Sequence, residues 1–148
     1  MYKRQARPRG EDCPHLVSHQ LFLGAGGMID GAALGVVNRT RMNLTIAAVL
    51  QRWDWASTWG WDYGLVALAM ARHAWSGEAI ADLLLMNVVK NSYPANGYNF
   101  QEAALAAYLP GNGGLLAAIA MLCGDGAEPP RFPSAWGVVC EGFPPYPP

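Results

Sequence analysis

Charge is what this chain has least of. Of 148 residues, only 14% are charged, against roughly 25% in an ordinary soluble domain. Apolar residues make up 52%. A free-standing domain of this size needs more charge to cover its surface, so much of the chain is expected to be covered by something else, either the rest of a larger domain or an identical subunit. The formal net charge of −1 offers no basic surface for nucleic acid and none for an anionic membrane. Long apolar runs are also missing. The longest, residues 115–123, is too short to span a bilayer. The N-terminus carries Lys3, Arg4, Arg7 and Arg9 rather than an apolar signal core. An export signal, if a parent protein has one, would precede this stretch.

Three cysteines, Cys13, Cys123 and Cys140, are odd in number and share no metal-ligand spacing. They read as buried or incidental thiols. No His/Cys/carboxylate cluster points to a metal, and no cofactor is implied. A Gly-x-Ser-x-Gly nucleophile elbow is lacking. The loop Pro110-Gly111-Asn112-Gly113-Gly114 lacks the Gly-Lys-Ser/Thr of a Walker A loop. His15 and His73 read as incidental. Asn38-Arg39-Thr40 and Asn43-Leu44-Thr45 match glycosylation sequons but fall on an expected helix.

What is present is helical periodicity. Residues 6–17 read as coil. Residues 19–28 read as a short, Gly-rich buried helix, and 29–37 as a connection. Asn38 is a candidate N-cap for a helix reaching Trp53, with Met42, Ile46, Val49, Leu50 and Trp53 on one face. Residues 61–75 predict a helix apolar on nearly every side, hence buried all round. Ser76 can cap a third helix that buries Ile80, Leu83, Leu84 and Val88 and ends near Lys90. Residues 91–101 form an Asn-, Tyr- and Gly-rich loop, and 102–108 read as a helical turn. Asn112 is a candidate N-cap for a last apolar helix over 113–123, also expected to be buried, which Gly124-Asp125-Gly126 stops. A strand is expected at 135–140 within a Pro-rich tail. Apolar helices alternating with amphipathic ones point to an all-α fold: the inner and outer layers of part of an α/α toroid.

Three loops precede apolar stretches: Ser18-His19-Gln20-Leu21, Thr58-Trp59-Gly60-Trp61-Asp62 and Tyr108-Leu109-Pro110-Gly111-Asn112-Gly113-Gly114. The second belongs to a run with four tryptophans in nine residues, Trp53, Trp55, Trp59 and Trp61. Indole faces stack on the apolar faces of sugar rings, while amides and carboxylates bond the hydroxyls. Trp53 and Trp55 read as packing residues; Trp59 and Trp61, flanking Gly60, are candidates to line a pocket. Asp62 stands in a first helical turn. It either compensates the helix dipole or serves as a pocket carboxylate, and it is the one carboxylate here to be tested for chemistry. Asn96 and Gly97 suit a turn. Asn99 and Gln101 are ligand candidates because a turn does not require them. Free N–H groups around Asn112 could hold a hydroxyl or phosphate. His19 completes the set.

Taken in order, residues 58–63, 83–93, 96–101 and above all 108–118 resemble the C-terminal part of the six-hairpin glycosidases. More narrowly, they resemble a bacterial group similar to the maltose and trehalose hydrolase/phosphorylase family. Phe132-Pro133 and Val139-Cys140-Glu141-Gly142 resemble that group's close, and the likeness covers nearly everything after residue 17. It implies a toroid with its pocket at the rim where inner helices begin, faced by His19, Trp59, Trp61, Asp62, Asn99 and Asn112. The implied chemistry is cleavage of a glycosidic bond in an oligo- or disaccharide, with carboxyl groups on either side of the bond; a phosphorylase would use phosphate in place of water. The chain departs from the family pattern in three places. Ser18 stands where an acidic residue precedes the His, Tyr98 stands where the family has a His, and Pro110 stands where fucosidase-type toroids carry an Asp. No general acid or nucleophile is therefore carried over.

The segments then divide as follows. Residues 1–5 resemble one translated frame of a transposon adapter (TAT-AAG-AGA-CAG encodes Tyr-Lys-Arg-Gln). Residues 6–127 are the C-terminal part of a toroid catalytic domain, and 128–148 a Pro-rich tail. Such a piece supplies pocket walls, lacks activity alone, and has the N-terminal part of the same protein as its partner. The competing expectations are a non-catalytic oligomeric helical binding or scaffold protein, and a truncated reading frame without a function of its own.

Overall fold

The computed structural model describes residues 38–124 and 130–142. The described residues hold four α-helices and no strand. They are α1 (Arg39–Arg52), α2 (Gly60–Arg72), α3 (Gly77–Leu84) and α4 (Leu109–Leu122), with a single 3-10 turn at Val89–Asn91. The all-α expectation holds for this part. The readings placed on residues 6–37, His19 among them, lie outside the described residues.

Asn38 caps α1 by accepting the Arg41 N–H at 3.0 Å. Met42, Ile46 and Val49 on the apolar stripe are buried, with Leu50 and Trp53 packed against the core. In α2 every residue from Asp62 to Ala71 is buried, as its all-round apolarity requires. The helix ends with Ala74 in the left-handed region, φ 61°. The Trp75 N–H reaches back to the Met70 carbonyl at 3.0 Å, a Schellman closure with alanine in glycine's usual place. Trp75 Nε1 then donates to Asn43 Oδ1 at 2.9 Å, tying this turn to α1.

α3 starts where Ser76 caps it, accepting from the Ala79 N–H at 3.2 Å, but it stops at Leu84 rather than near Lys90. The reason is Asn91. Its amide donates to the carbonyls of Leu84 at 2.9 Å and Met86 at 3.0 Å, taking an orphan carbonyl at the helix end and bending the chain away. Residues 102–108 likewise form no helix. Glu102 and Leu105 close a tight turn instead, with the Leu105 N–H on the Glu102 carbonyl at 2.9 Å.

α2 and α4 lie side by side and parallel. At one end Gly60 and Gly111 both abut Asn99. One turn further on, Gly64 touches the backbone of Gly114. At the far end Arg131 joins them, its guanidinium donating to the Ala71 carbonyl and its N–H to the Leu122 carbonyl. α4 starts at Leu109, with Pro110 in the first turn, where no N–H is needed. Only Gly111, Ala118 and Leu122 of α4 are buried. Leu116 is 68% exposed and Leu109 61%, so α4, read as an inner-type helix, is not covered on all sides among the described residues. One side meets α2; the opposite side is apolar and uncovered among the described residues.

Residues 130–142 are coil, without the strand expected at 135–140, because they are held by side chains and a crosslink rather than by a partner strand. The Ser134 N–H donates to Glu78 Oε1 at 3.2 Å. The Glu78 carboxyl is held below its ordinary value by hydrogen bonds from its own backbone N–H and then from that of Ser134. Cys123 and Cys140 form a disulfide across 17 residues, so these two are crosslinked and not the incidental thiols expected. In the chain-entropy account, a loop of this length contributes about 3 kcal/mol. Cys140→Ser should therefore lower the urea unfolding free energy by about that amount. An unchanged midpoint under reducing and oxidising conditions would show that the crosslink contributes nothing.

Candidate functional site

The end of the described residues away from the disulfide gathers two of the three loops singled out in the sequence. The segment before α2 is built by short-range bonds. Thr58 Oγ1 donates to the Trp55 carbonyl at 3.0 Å, and the Tyr63 hydroxyl donates to the same oxygen at 2.6 Å. Trp55 packs against Trp53 and Tyr63 at ring separations of 5.6 and 5.1 Å. Trp53 and Trp55 are thus packing residues, as read from the sequence. The chain turns into α2 at Trp59, whose N–H donates to Asp62 Oδ2 at 2.9 Å. Asp62 is buried, 3% exposed, and caps the helix in the manner expected of a first-turn carboxylate.

Asn99 joins this loop to the start of α4. It is fully buried, at 0% exposure, and its backbone and amide are used in several directions. Its N–H donates to Asn112 Oδ1 at 2.9 Å, and its carbonyl accepts from the Tyr108 N–H at 2.8 Å. Its Nδ2 donates to the carbonyls of Lys90 at 3.0 Å and Ser92 at 3.4 Å. Its Oδ1 accepts no hydrogen bond. That oxygen lies where side chains on Gly60 and Gly111 would otherwise be, and each glycine directs a Cα hydrogen at it. Such contacts are worth up to about 1 kcal/mol. Gln101, also buried, accepts the Gly60 N–H at 2.8 Å. Gln101 Oε1 and the Asn99 carbonyl thus serve backbone N–H groups at the two helix starts, while Asn99 Nδ2 holds the carbonyls of Lys90 and Ser92.

Asn112 does not cap α4, since the helix begins three residues earlier. It sits in the first turns as a tether, with Nδ2 on the Gly97 carbonyl at 2.8 Å and Oδ1 on the Asn99 N–H. Its partners are 15 and 13 residues away in sequence, beyond the reach of a local capping rule.

The half-buried faces belong to aromatics. Trp59 and Tyr108 meet at a ring separation of 5.5 Å, tilted by 42°. Trp61 is half-buried, and its backbone lies against Gly114. Burial, and then the charge of Asp62, push the Tyr108 phenol above its ordinary value. Tyr93 is raised by burial alone, its hydroxyl on the Gly111 carbonyl at 3.3 Å. The structure therefore brings Trp59, Trp61, Asp62, Asn99, Gln101 and Asn112 to one end. His19 lies outside the described residues. Tyr108 was not among the residues singled out from the sequence, although its place at the head of the third loop was the available signal.

Among the described residues no group of His, Cys, Asp and Glu is arranged to hold a metal, and no helix is long and apolar enough to cross a membrane. No family model, no curated protein and no solved structure matches the chain.

Proposed function

We propose that the chain is part of a carbohydrate-active enzyme that cleaves glycosidic bonds, and that it forms one wall of the sugar pocket in a larger (α/α)6 toroid. One observation carries this reading: the Trp59–Tyr108 ring pair, 5.5 Å apart, which comes from two loops about fifty residues apart at the starts of two parallel helices. Aromatic faces can hold a sugar ring by its apolar side while neighbouring polar groups bond its hydroxyls. Parallel α2 and α4, with α3 between them in sequence, fit neighbouring inner helices and their outer connection. The exposed apolar side of α4 fits contact with further parts of a toroid. Asp62 orients the loop through the Trp59 N–H. The carboxyl groups that act as acid and base on the scissile bond belong, in this reading, to the N-terminal part of the same protein.

Maltose or trehalose should quench tryptophan fluorescence saturably, and Trp59→Ala should weaken binding about tenfold, equivalent to about 1.4 kcal/mol. A Trp59→Ala protein that stays folded and binds as the parent does would overturn the reading. A second reading, a non-catalytic oligomeric helical scaffold, draws on the uncovered Leu116 side of α4. It predicts self-association in sedimentation with no response to sugar.

A further inference from the structure

We propose that Asn96 is a site of spontaneous deamidation and backbone isomerisation, with water as the co-reactant, and that the isomerised bond unhooks Asn112 from the rim loop. This is independent of the sugar reading. Asn96 and Gly97 are exposed at the tip of the loop closed by the Ser92–Phe100 bridge. Gly97 has φ 77°, and nothing lies within 4 Å of where its side chain would be, so no side chain crowds the turn and its nitrogen is held only by the Pro94 carbonyl. Asn96 Oδ1 accepts the Tyr98 N–H at 3.1 Å. That bond draws electron density from Cγ, which makes it the better electrophile.

The steps balance without a redox partner. The Gly97 nitrogen gives its proton to solvent base and attacks Asn96 Cγ. The Cγ–Nδ2 bond breaks and ammonia leaves, its extra proton drawn from water. Water then opens the five-membered imide at one of its two carbonyls. Opening at Cγ yields aspartate; opening at the backbone carbonyl yields a chain that runs through Cβ and Cγ. The net change is one water gained and one ammonia lost. Before the attack, the Gly97 N–H must leave the Pro94 carbonyl, which it bonds at 2.8 Å, so opening of this exposed turn gates the reaction.

The consequence follows from the neighbouring bond. The Gly97 carbonyl accepts from Asn112 Nδ2 at 2.8 Å, and Asn112 Oδ1 holds the Asn99 N–H. An extra methylene in the backbone before Gly97 displaces that carbonyl and removes one anchor of the Asn112 tether. The chain supplies its own control, because Asn112-Gly113 is the same dipeptide. There the side chain is held at both ends and α4 fixes the backbone, so reaction requires the helix start to open.

Peptide mapping after incubation of the folded protein at mildly alkaline pH tests this, with a urea-denatured sample alongside. In the folded sample Asn96 should convert at least about tenfold faster than Asn112, because a helical amide reacts only through local unfolding. In urea the two should convert at similar rates. The isomerised fraction, separated from fresh protein, should melt at a lower temperature, and Asn96→Gln should keep its melting temperature through the same incubation. Equal conversion of Asn96 and Asn112 in the folded sample, or an Asn96 that stays intact, would overturn the assignment. An isomerised fraction that melts like fresh protein would overturn the link to Asn112.

Discussion

Gly64→Ala should destabilise the protein by about 3 kcal/mol, the upper part of the range for forcing a methyl into a filled core, while Gly113→Ala should leave it as stable or slightly more so. Both substitutions add the same methyl to a helix, where alanine is intrinsically favoured over glycine by about 1 kcal/mol. What differs is the surroundings. A Cβ on Gly64 would fall on the backbone of Gly114 and Leu115, whereas one on Gly113 meets nothing within 4 Å. Backbone cannot move aside as a side-chain tip can, so α2 and α4 would have to separate. Their separation would pull the Trp59 and Tyr108 rings apart and break the Asn99 contacts to Gly60 and Gly111. Urea denaturation of the two variants against the parent measures the difference directly. Equal destabilisation by both would mean that α2 and α4 do not cross at Gly64.

The contrast marks what could and could not be read from the sequence. The stripe of α1, the all-round apolarity of α2 and the caps at Asn38 and Ser76 were legible because each depends on residues within a few positions. The apolarity of α4 was equally plain, yet its burial was not. Composition reports that no charge interrupts a surface, not that a neighbour covers it, and Leu116 is in fact 68% exposed. The premature end of α3 depends on Asn91 reaching back seven residues to Leu84. The pairing of Cys123 with Cys140 could not be chosen over Cys13 by spacing. At the candidate site the residue types were found, but the geometry that decides their work was not. Asn99 and Gln101 drew attention because a turn does not need them; the two helix starts do.

Asn99→Asp should destabilise the protein by about 3 kcal/mol or more at neutral pH and recover much of that loss in acid. The exchange preserves shape and turns the donor Nδ2 into an oxygen. That oxygen would face the carbonyls of Lys90 and Ser92, which now accept from Nδ2 at 3.0 and 3.4 Å. As a carboxylate it would be buried, charged and set against two lone pairs, so folding favours the protonated acid and raises this group's pKa above its unfolded value. For a carboxyl shifted in that direction, the folded state is least penalised below the unfolded pKa of about 3.9. The penalty grows as pH rises through the shifted value and levels off above it. Protonated, the new hydroxyl can donate to the Lys90 carbonyl and restore part of the native pattern. Acid also weakens the parent, whose Glu78 carboxylate holds the Ser134 N–H, so the quantity to follow is the difference between variant and parent at each pH. That difference should be largest near neutrality and shrink toward pH 4. Asn99→Ala, with no titrating group, should show a deficit that does not vary with pH. A constant Asn99→Asp deficit across the same range would mean that residue 99 is reached by water and does not lock the starts of α2 and α4 together.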